Sequence, residues 1–153
     1  STVHTNDAPG AITRLVDMGV EPFLVASSLI GILAQRLVRT LCPQCKESYV
    51  ASVEEVRELG LSPDMVGPNP TFWRGRGCPA CLQTGFQGRT GIYEFMMPTD
   101  EIRQLILEKV DSTSIKRKAQ QQGMRTLLED GARKVLVGIT SSAEVLSVAQ
   151  DSA

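Results

Sequence analysis

The sequence lacks the features that would mark a membrane or nucleic-acid-binding protein. No apolar run approaches the roughly 18 residues of a membrane span, since the richest stretch, residues 22–41, is interrupted by Gln35, Arg36 and Arg39. The 16 basic and 17 acidic residues leave a formal charge of -1, which argues against a broad nucleic-acid-binding surface. No basic leader followed by an apolar signal core is present.

The sequence also lacks a self-sufficient catalytic motif. None of the lysines is followed by Ser or Thr, as a phosphate-binding loop requires. Pro98 breaks the strand before Asp100-Glu101, which makes this pair a poor Walker B candidate, and His4 is the single histidine. The chain opens at Ser1 without Met, inside a β-branched run, so we expect a piece of a longer protein that turns over no substrate alone. Removal of Met before Ser1 is the alternative.

The sequence does contain four cysteines, arranged as Cys42-Pro-Gln-Cys45 and Cys78-Pro-Ala-Cys81. Two residues between ligands allow two thiolates to reach one ion from a single tight turn, and the proline helps to shape that turn. Two such turns complete a tetrahedral four-sulfur site, which suits zinc in a structural, coordinatively closed role. The long spacer between the pairs indicates substructure of its own.

Other roles for the cysteines stay open at this point. Two disulfides would suit a secreted protein, although nothing in the sequence signals export. A rubredoxin-like iron site uses similar turns, and the ligand type alone does not separate iron from zinc. A thioredoxin-like redox site needs only one C-x-x-C pair.

Hydrophobic periodicity and capping residues predict alternating helices and strands. The predicted helices begin near Asn6 or Asp7, Pro22, Val53, Thr99, Ser112 or Thr113, Leu127 and Ser141. The predicted strands cover residues 31–41, 71–74 and 90–97, and residues 60–70 are predicted to form a loop. Ser141-x-x-Glu144 is typical of a capping box.

Several motifs resemble, in order, those of the secretion ATPase superfamily. Ser1-Thr-Val-His-Thr-Asn-Asp7 is similar to the family's His box, S-T-L-H-T-N. The further matches are Met18–Phe23, Leu33–Pro43, Gly88–Glu94, Asp130–Lys134 and Gly138–Thr140. The resemblance covers essentially the whole chain and both cysteine pairs. It is strongest to the ATPases of bacterial type II secretion, with the type IV pilus assembly ATPases as the alternative.

The resemblance implies an α/β fold, namely the C-terminal portion of a RecA-like P-loop NTPase domain with an inserted tetracysteine zinc lobe and a helical C-terminal extension. The P-loop, Asp box and Walker B strand would precede Ser1. The implied segments are the ATPase domain at 1–41, the metal-binding insert at 42–81, a returning strand at 82–97 and the extension at 98–153. Pilus retraction ATPases lack the insert and join its flanking strands as a hairpin. We therefore expect residues 33–41 to pair with residues 90–97, with the lobe projecting from their tip.

The resemblance also assigns roles near the nucleotide. His4 matches the His-box histidine, which lies near the γ-phosphate and would sense it or orient water. Arg89 matches the arginine of the G-R-x-G-I-x-E motif, which approaches the phosphates, and a guanidinium suits phosphate oxygens. The alternatives are an ordinary hydrogen bond for His4 and an ion pair with Glu94 for Arg89. Arg36 would also bind the nucleotide.

Three further positions follow from the resemblance. Arg39, like Arg36, would face a phosphate or a neighbouring subunit. Val3 replaces the usual leucine of the His box. Ser147 stands where an arginine is common, so the contact that this arginine makes elsewhere is in question here.

By the same resemblance, the full-length protein would be a cytoplasmic homo-hexameric ATPase that binds ATP and Mg²⁺. It would power pseudopilus assembly and contact inner-membrane secretion-platform proteins, with no nucleic acid and no membrane span of its own. A free-standing zinc-ribbon module is the alternative from another class. Residues 42–81 hold four basic and five acidic side chains, and a zinc ion with four thiolates adds about -2. This negative lobe disfavours nucleic acid and leaves a protein partner.

Overall fold

A computed structural model of the protein describes residues 1–149 and shows a mixed helix and strand architecture. The helices are α1 (Ala8–Asp17), α2 (Pro22–Ser28), α3 (Val53–Glu58), α4 (Pro63–Val66), α5 (Asp100–Leu107), α6 (Ser112–Gln121), α7 (Leu127–Leu136) and α8 (Ser142–Ala149). The strands are β1 (Ile32–Leu41), β2 (Lys46–Val50), β3 (Thr71–Gly75) and β4 (Phe86–Met96), and a 3₁₀ turn covers Pro79–Cys81. Residues 150–153 of the predicted extension lie outside the described residues.

Two separate strand pairs organise the chain. β1 pairs with β4, which confirms the expected pairing of the strands on either side of the cysteine insert. β2 and β3 pair antiparallel inside the insert, with Lys46 opposite Gly75 and Val50 opposite Thr71. Among residues 1–149, no helix combines the length and apolar character needed to cross a membrane.

The chain divides into two compact units. Unit 1 joins residues 1–35 to residues 93–126, and unit 2 joins residues 36–92 to the described residues from 127 onward. Unit 2 thus combines the cysteine insert with the end of the predicted helical extension. Compactness alone does not test the expected assignment of segments to an ATPase domain, an insert and an extension, which stays a prediction.

Each unit has a hydrophobic core of its own. In unit 1, the helices α1, α2, α5 and α6 surround a buried set of aliphatic side chains that includes Ile12, Ile102, Ile106 and Ile115. In unit 2, the largest fully buried side chain is Phe72 of β3, and it packs with residues of α3, α7 and α8. Burial of this apolar surface is the main stabilising term in each unit.

The predicted helix starts are confirmed where a side chain caps the backbone. Asp7 accepts the N–H of Gly10 at 2.9 Å, and Thr99 accepts the N–H of Ile102 at 3.4 Å. The α3 start is a complete capping box, in which Ser52 and Glu55 each accept the other's backbone N–H. Asp111, which accepts the N–H of Ser114 at 3.0 Å, caps α6 and was not anticipated. These caps satisfy donors that a helix leaves unpaired.

Two elements differ from the sequence-based expectation. The predicted loop at 60–70 contains the short helix α4, because Ser62 accepts the N–H of Met65 at 3.0 Å and proline suits the first helical position. Strand β2 was not predicted at all. It follows the first cysteine pair at once, and its backbone ladder forms with β3, which is distant in sequence.

Only one of the two hydrogen bonds of the predicted capping box at α8 forms. Ser141 accepts the N–H of Glu144 at 3.3 Å, as expected. The Glu144 carboxylate instead accepts the N–H of Arg39 at 3.0 Å and forms an ion pair with the Arg39 guanidinium. This ion pair and hydrogen bonds from Arg39 lower the pKa of Glu144 despite its partial burial. Glu144 therefore links α8 to β1.

Replacing this carboxylate should weaken unit 2 in a pH-dependent way. We expect Glu144→Gln to lower the free energy of unfolding by about 1 kcal/mol at pH 7, a modest loss because Arg39 is half exposed and screened. A carboxylate with a lowered pKa stabilises the folded state above its unfolded pKa and loses this effect as pH falls through the folded value. Urea unfolding at pH 7 and pH 3 should therefore show a smaller difference in acid. An equal difference at both values would contradict the prediction.

Close packing of α7 against α8 depends on a glycine. A Cβ atom at Gly131 would overlap the side chain of Val145, which is fully buried. Gly131 belongs to the motif Asp130–Lys134. The approach of the two helices therefore explains why a residue that weakens helices occupies the middle of α7.

Filling this contact should reverse the usual effect of a glycine-to-alanine change. In an exposed helix, that change stabilises by roughly 0.5–1 kcal/mol. We expect Gly131→Ala to destabilise by about 1–3 kcal/mol, because the added methyl group forces the helices apart. Urea unfolding at pH 7 gives the measurement, with the exposed α8 substitution Ser147→Ala as the control. A Gly131→Ala protein as stable as the parent would refute the packing argument.

Candidate functional site

The four cysteines come together in unit 2. The sulfur atoms of Cys42 and Cys78 lie 3.9 Å apart, those of Cys45 and Cys81 also 3.9 Å, and those of Cys78 and Cys81 3.7 Å. All four sulfurs lie within 4.8 Å of one another. No disulfide joins them, and the separations far exceed the roughly 2.05 Å of a disulfide bond.

These separations fit a tetrahedral metal ion. Four sulfurs at about 2.3 Å from a central zinc would lie about 3.8 Å from one another, close to the distances found here. Iron in a four-thiolate site has the same ligand set, so the geometry does not separate the two metals. Cys42, Cys45, Cys78 and Cys81 would hold the ion, and it would supply a cross-link with no open coordination position.

Backbone N–H groups stabilise a thiolate in the second cysteine pair, Cys78 and Cys81. The N–H groups of Cys78 and Gly85 both donate to the Cys81 sulfur at 3.2 Å. Burial alone would raise the pKa of the Cys81 thiol, but these donors lower it to about 6. Burial raises the pKa of Cys45 to about 11. These two backbone N–H groups therefore favour the thiolate form of Cys81.

Two glycines let the backbone close around the cluster. Gly85 adopts a positive φ of 78°, and a Cβ there would lie 2.6 Å from the Gly75 carbonyl oxygen. The Gly85 carbonyl accepts the N–H of Cys42 at 2.9 Å, which ties the first turn to the second. Glycines next to cysteine pairs permit positive φ values and close backbone approach. The positions of Gly75 and Gly85 in the sequence could therefore have indicated this tight closure.

The cluster is fastened to the turn between α7 and α8. The N–H of Leu41, next to Cys42, donates to the Ile139 carbonyl at 2.9 Å. The Lys46 ammonium, next to Cys45, donates to the Gly138 carbonyl at 3.0 Å. The Thr140 hydroxyl donates to the Arg39 carbonyl at 2.8 Å. Both residues that adjoin the first cysteine pair therefore bind the same short turn.

Trp73 of β3 lies against both Lys46 and the turn between α7 and α8. The Lys46 ammonium lies 4.8 Å from the centroid of the Trp73 ring, a cation–π distance. A Cβ at Gly138 would come within 2.8 Å of the same ring, so the turn and the indole are in close contact. Trp73 therefore packs between the Lys46 ammonium and the 138–140 turn.

Two of the four basic side chains of the lobe pair with the same acidic one. Glu47 pairs with Arg74 at 2.9 Å and with Arg76 at 3.1 Å. This pairing, together with the negative charge of four thiolates and one divalent cation, leaves no basic stripe on the described lobe.

The residues expected near a nucleotide are distributed over the two units. His4 is exposed and belongs to unit 1, whereas Arg36 and Arg89 belong to unit 2, where Arg36 is half-buried and Arg89 is exposed. Their common approach to a phosphate stays a prediction. Glu94, the alternative partner of Arg89, is buried and accepts the N–H of Ala8 at 2.8 Å.

Arg39 contacts two other residues of unit 2, and its expected contact with a phosphate or a neighbouring subunit stays a prediction. Its guanidinium forms the ion pair with Glu144 and lies 4.2 Å from the centroid of the Phe86 ring. The hydrogen bond to Glu144 also raises the pKa of Arg39. This arginine therefore serves the packing of unit 2, which the sequence did not reveal because Glu144 lies 105 residues away.

Comparison with known proteins places the chain in a family. The family model described as "Type II/IV secretion system protein" matches residues 1–147. The chain belongs to the type II/IV secretion system protein family. This confirms the family that the motifs from the His box to residues 138–140 had indicated.

Relatives within this family have closely similar sequences. The Type II secretion system protein E of Pseudomonas aeruginosa is 51% identical over 151 residues, and the Type II secretion system ATPase E of Vibrio cholerae is 46% identical over 153 residues. Each alignment covers 99% of this chain and 29% of the relative. The Type IV pilus assembly ATPase PilB of Thermus thermophilus is 47% identical, with 96% of this chain and 16% of the relative covered. The chain therefore spans less than a third of the length of these relatives.

The cysteine cluster predicts metal binding with defined stoichiometry. We expect about one zinc ion per chain after purification under reducing conditions, because four sulfurs converge on one tetrahedral position. Cys45→Ser should lose most of this metal, whereas Gln44→Ala, an exposed change inside the same turn, should retain it. Elemental analysis for zinc and iron gives the measurement. Parent protein without stoichiometric metal, or Cys45→Ser with full metal, would rule out the site.

Proposed function

We propose that the chain is the C-terminal part of a RecA-like, homo-hexameric ATPase that powers type II protein secretion. Membership of the family over residues 1–147 carries this proposal, together with 46% identity to a relative named as a type II secretion ATPase. The ATPase segments at 1–41 and 82–97, the insert at 42–81 and the extension at 98–153 belong to this proposal. The protein would act in the cytoplasm against inner-membrane secretion-platform proteins, without nucleic acid.

In this proposal, most of the residues that bind and hydrolyse ATP lie in parts of the protein outside this chain. A P-loop and Mg²⁺ ligands outside this chain would cradle the ATP phosphates. His4 would sense the γ-phosphate, and Arg89 would contact phosphate oxygens, with Arg36 as a further contact. Phosphoryl transfer depends on positioning and on neutralising charge, and a guanidinium and an imidazole supply such contacts. The exposure of His4 and Arg89 leaves both side chains accessible to a ligand.

The metal would have a structural role. A four-sulfur site has no position for water or substrate. The hydrogen bonds from Leu41 and Lys46 to the 138–140 turn support this role, because they join the first cysteine pair to the C-terminal helices. The shared core of the lobe with α7 and α8 also argues against the free-standing zinc-ribbon alternative.

A type IV pilus assembly ATPase is the second candidate. The 47% identity to such a protein of Thermus thermophilus favours it about as much as the secretion relatives favour the first. Deletion of the gene in its host separates the two. Loss of exported proteins with intact pili supports the secretion role, and loss of pili with intact export supports the pilus role.

The proposal makes a direct prediction about ATP turnover. The purified chain, free of contaminating ATPase, should hydrolyse no ATP, because it contains no phosphate-binding loop. In the full-length protein, Arg89→Ala and His4→Ala should each lower kcat by about 100- to 1000-fold, the range typical for loss of one charge-stabilising contact. Arg117→Ala, an exposed arginine on α6, is the matched control and should leave kcat unchanged.

Two results would contradict this proposal. One is ATP hydrolysis by the isolated chain. The other is a full-length protein in which the Arg89 and His4 variants turn over ATP as fast as the Arg117 control.

A further inference from the structure

We propose that Glu94 is a positioning residue that holds the His-box segment, residues 1–7, in place. The inference rests on the proposed function of His4 and concerns how that side chain is fixed. Glu94 lies on β4 and is 1% exposed. Its Oε1 atom accepts the N–H of Ala8, the first residue of α1, at 2.8 Å. Ala8 itself is fully buried.

The His-box segment needs external anchors because it forms no helix or strand. Without a backbone ladder, its position depends on the contacts at its end. Glu94 supplies one anchor at the point where the segment enters α1. A buried carboxylate is stable there because it accepts the N–H of Ala8 and lies at the positive end of the α1 dipole.

A second set of contacts carries this anchoring toward His4. Asp7 accepts the N–H of Gly10 at 2.9 Å and the ammonium of Lys116, on α6, also at 2.9 Å. The Thr5 hydroxyl donates to the Asp7 carbonyl at 3.0 Å. The tethered backbone thus reaches Thr5, which is the residue next to His4. Glu94 and Lys116 hold this stretch from two different elements of unit 1.

Two substitutions at Glu94 distinguish its role as a hydrogen-bond acceptor from its role in filling space. Glu94→Ala removes the acceptor and leaves the Ala8 N–H buried without a partner, which is costly. Glu94→Gln keeps an amide oxygen at the same place and should preserve the hydrogen bond. Glu101→Ala is the matched control, because it removes an exposed glutamate of the same unit that pairs with Lys118.

Nuclear magnetic resonance of the tag-free chain reads the result directly. His4 is the single histidine, so one imidazole signal reports on the segment. In the parent protein and in Glu94→Gln, order parameters of residues 4–7 should be near 0.85, as in rigid backbone. In Glu94→Ala they should fall below about 0.6, and the imidazole signal should move to the position of a free histidine peptide. Glu101→Ala should match the parent.

Several outcomes would overturn the inference. A folded Glu94→Ala protein with an unchanged imidazole signal would do so, and so would Glu94→Gln behaving like Glu94→Ala. If Glu94→Ala fails to fold, the parent protein decides, since mobile residues 4–7 in the parent exclude any anchoring. The proposed function fails separately, if His4→Ala leaves ATP turnover of the full-length protein unchanged while the segment is held as described.

Discussion

Convergence of four sulfur atoms is the constraint on which unit 2 depends. Cys42 and Cys78 are far apart in sequence, yet their sulfurs lie 3.9 Å apart. Four thiols packed this closely, with only weak hydrogen bonds between them, gain little without a cation, whereas a bound metal ion makes the same geometry strongly favourable. The small β2–β3 pair between the cysteines could not form an independently stable sheet, because two strands alone are marginal in water.

This constraint extends to the C-terminal helices. Leu41 and Lys46 adjoin the first cysteine pair and bind the turn at 138–140. Phe72, on β3, packs in the same core as α7 and α8. The side chain of Glu144 then fixes the start of α8 to Arg39. The lobe and the last two helices therefore belong to one folded unit, and loss of the metal should loosen both together.

The sequence predicted what depends on local chemistry. Helix starts at Asp7 and Thr99 followed from capping residues, and the paired cysteines predicted a four-sulfur site. It did not predict contacts between distant segments. The partnership of Arg39 with Glu144 depends on tertiary folding, which no local pattern encodes. Strand β2 was missed because it is short and has no clear signal before it pairs with β3.

The most direct test of this account is hydrogen exchange of backbone amides in the metal-loaded and chelator-treated protein under reducing conditions. The account predicts that amides of α7 and α8 lose protection together with those of β2 and β3 when the metal is removed. Helices α1 and α6, in the unit without cysteines, serve as the internal reference. Unchanged protection of α7 and α8 after complete metal removal would contradict the claim that the cysteine cluster holds these helices.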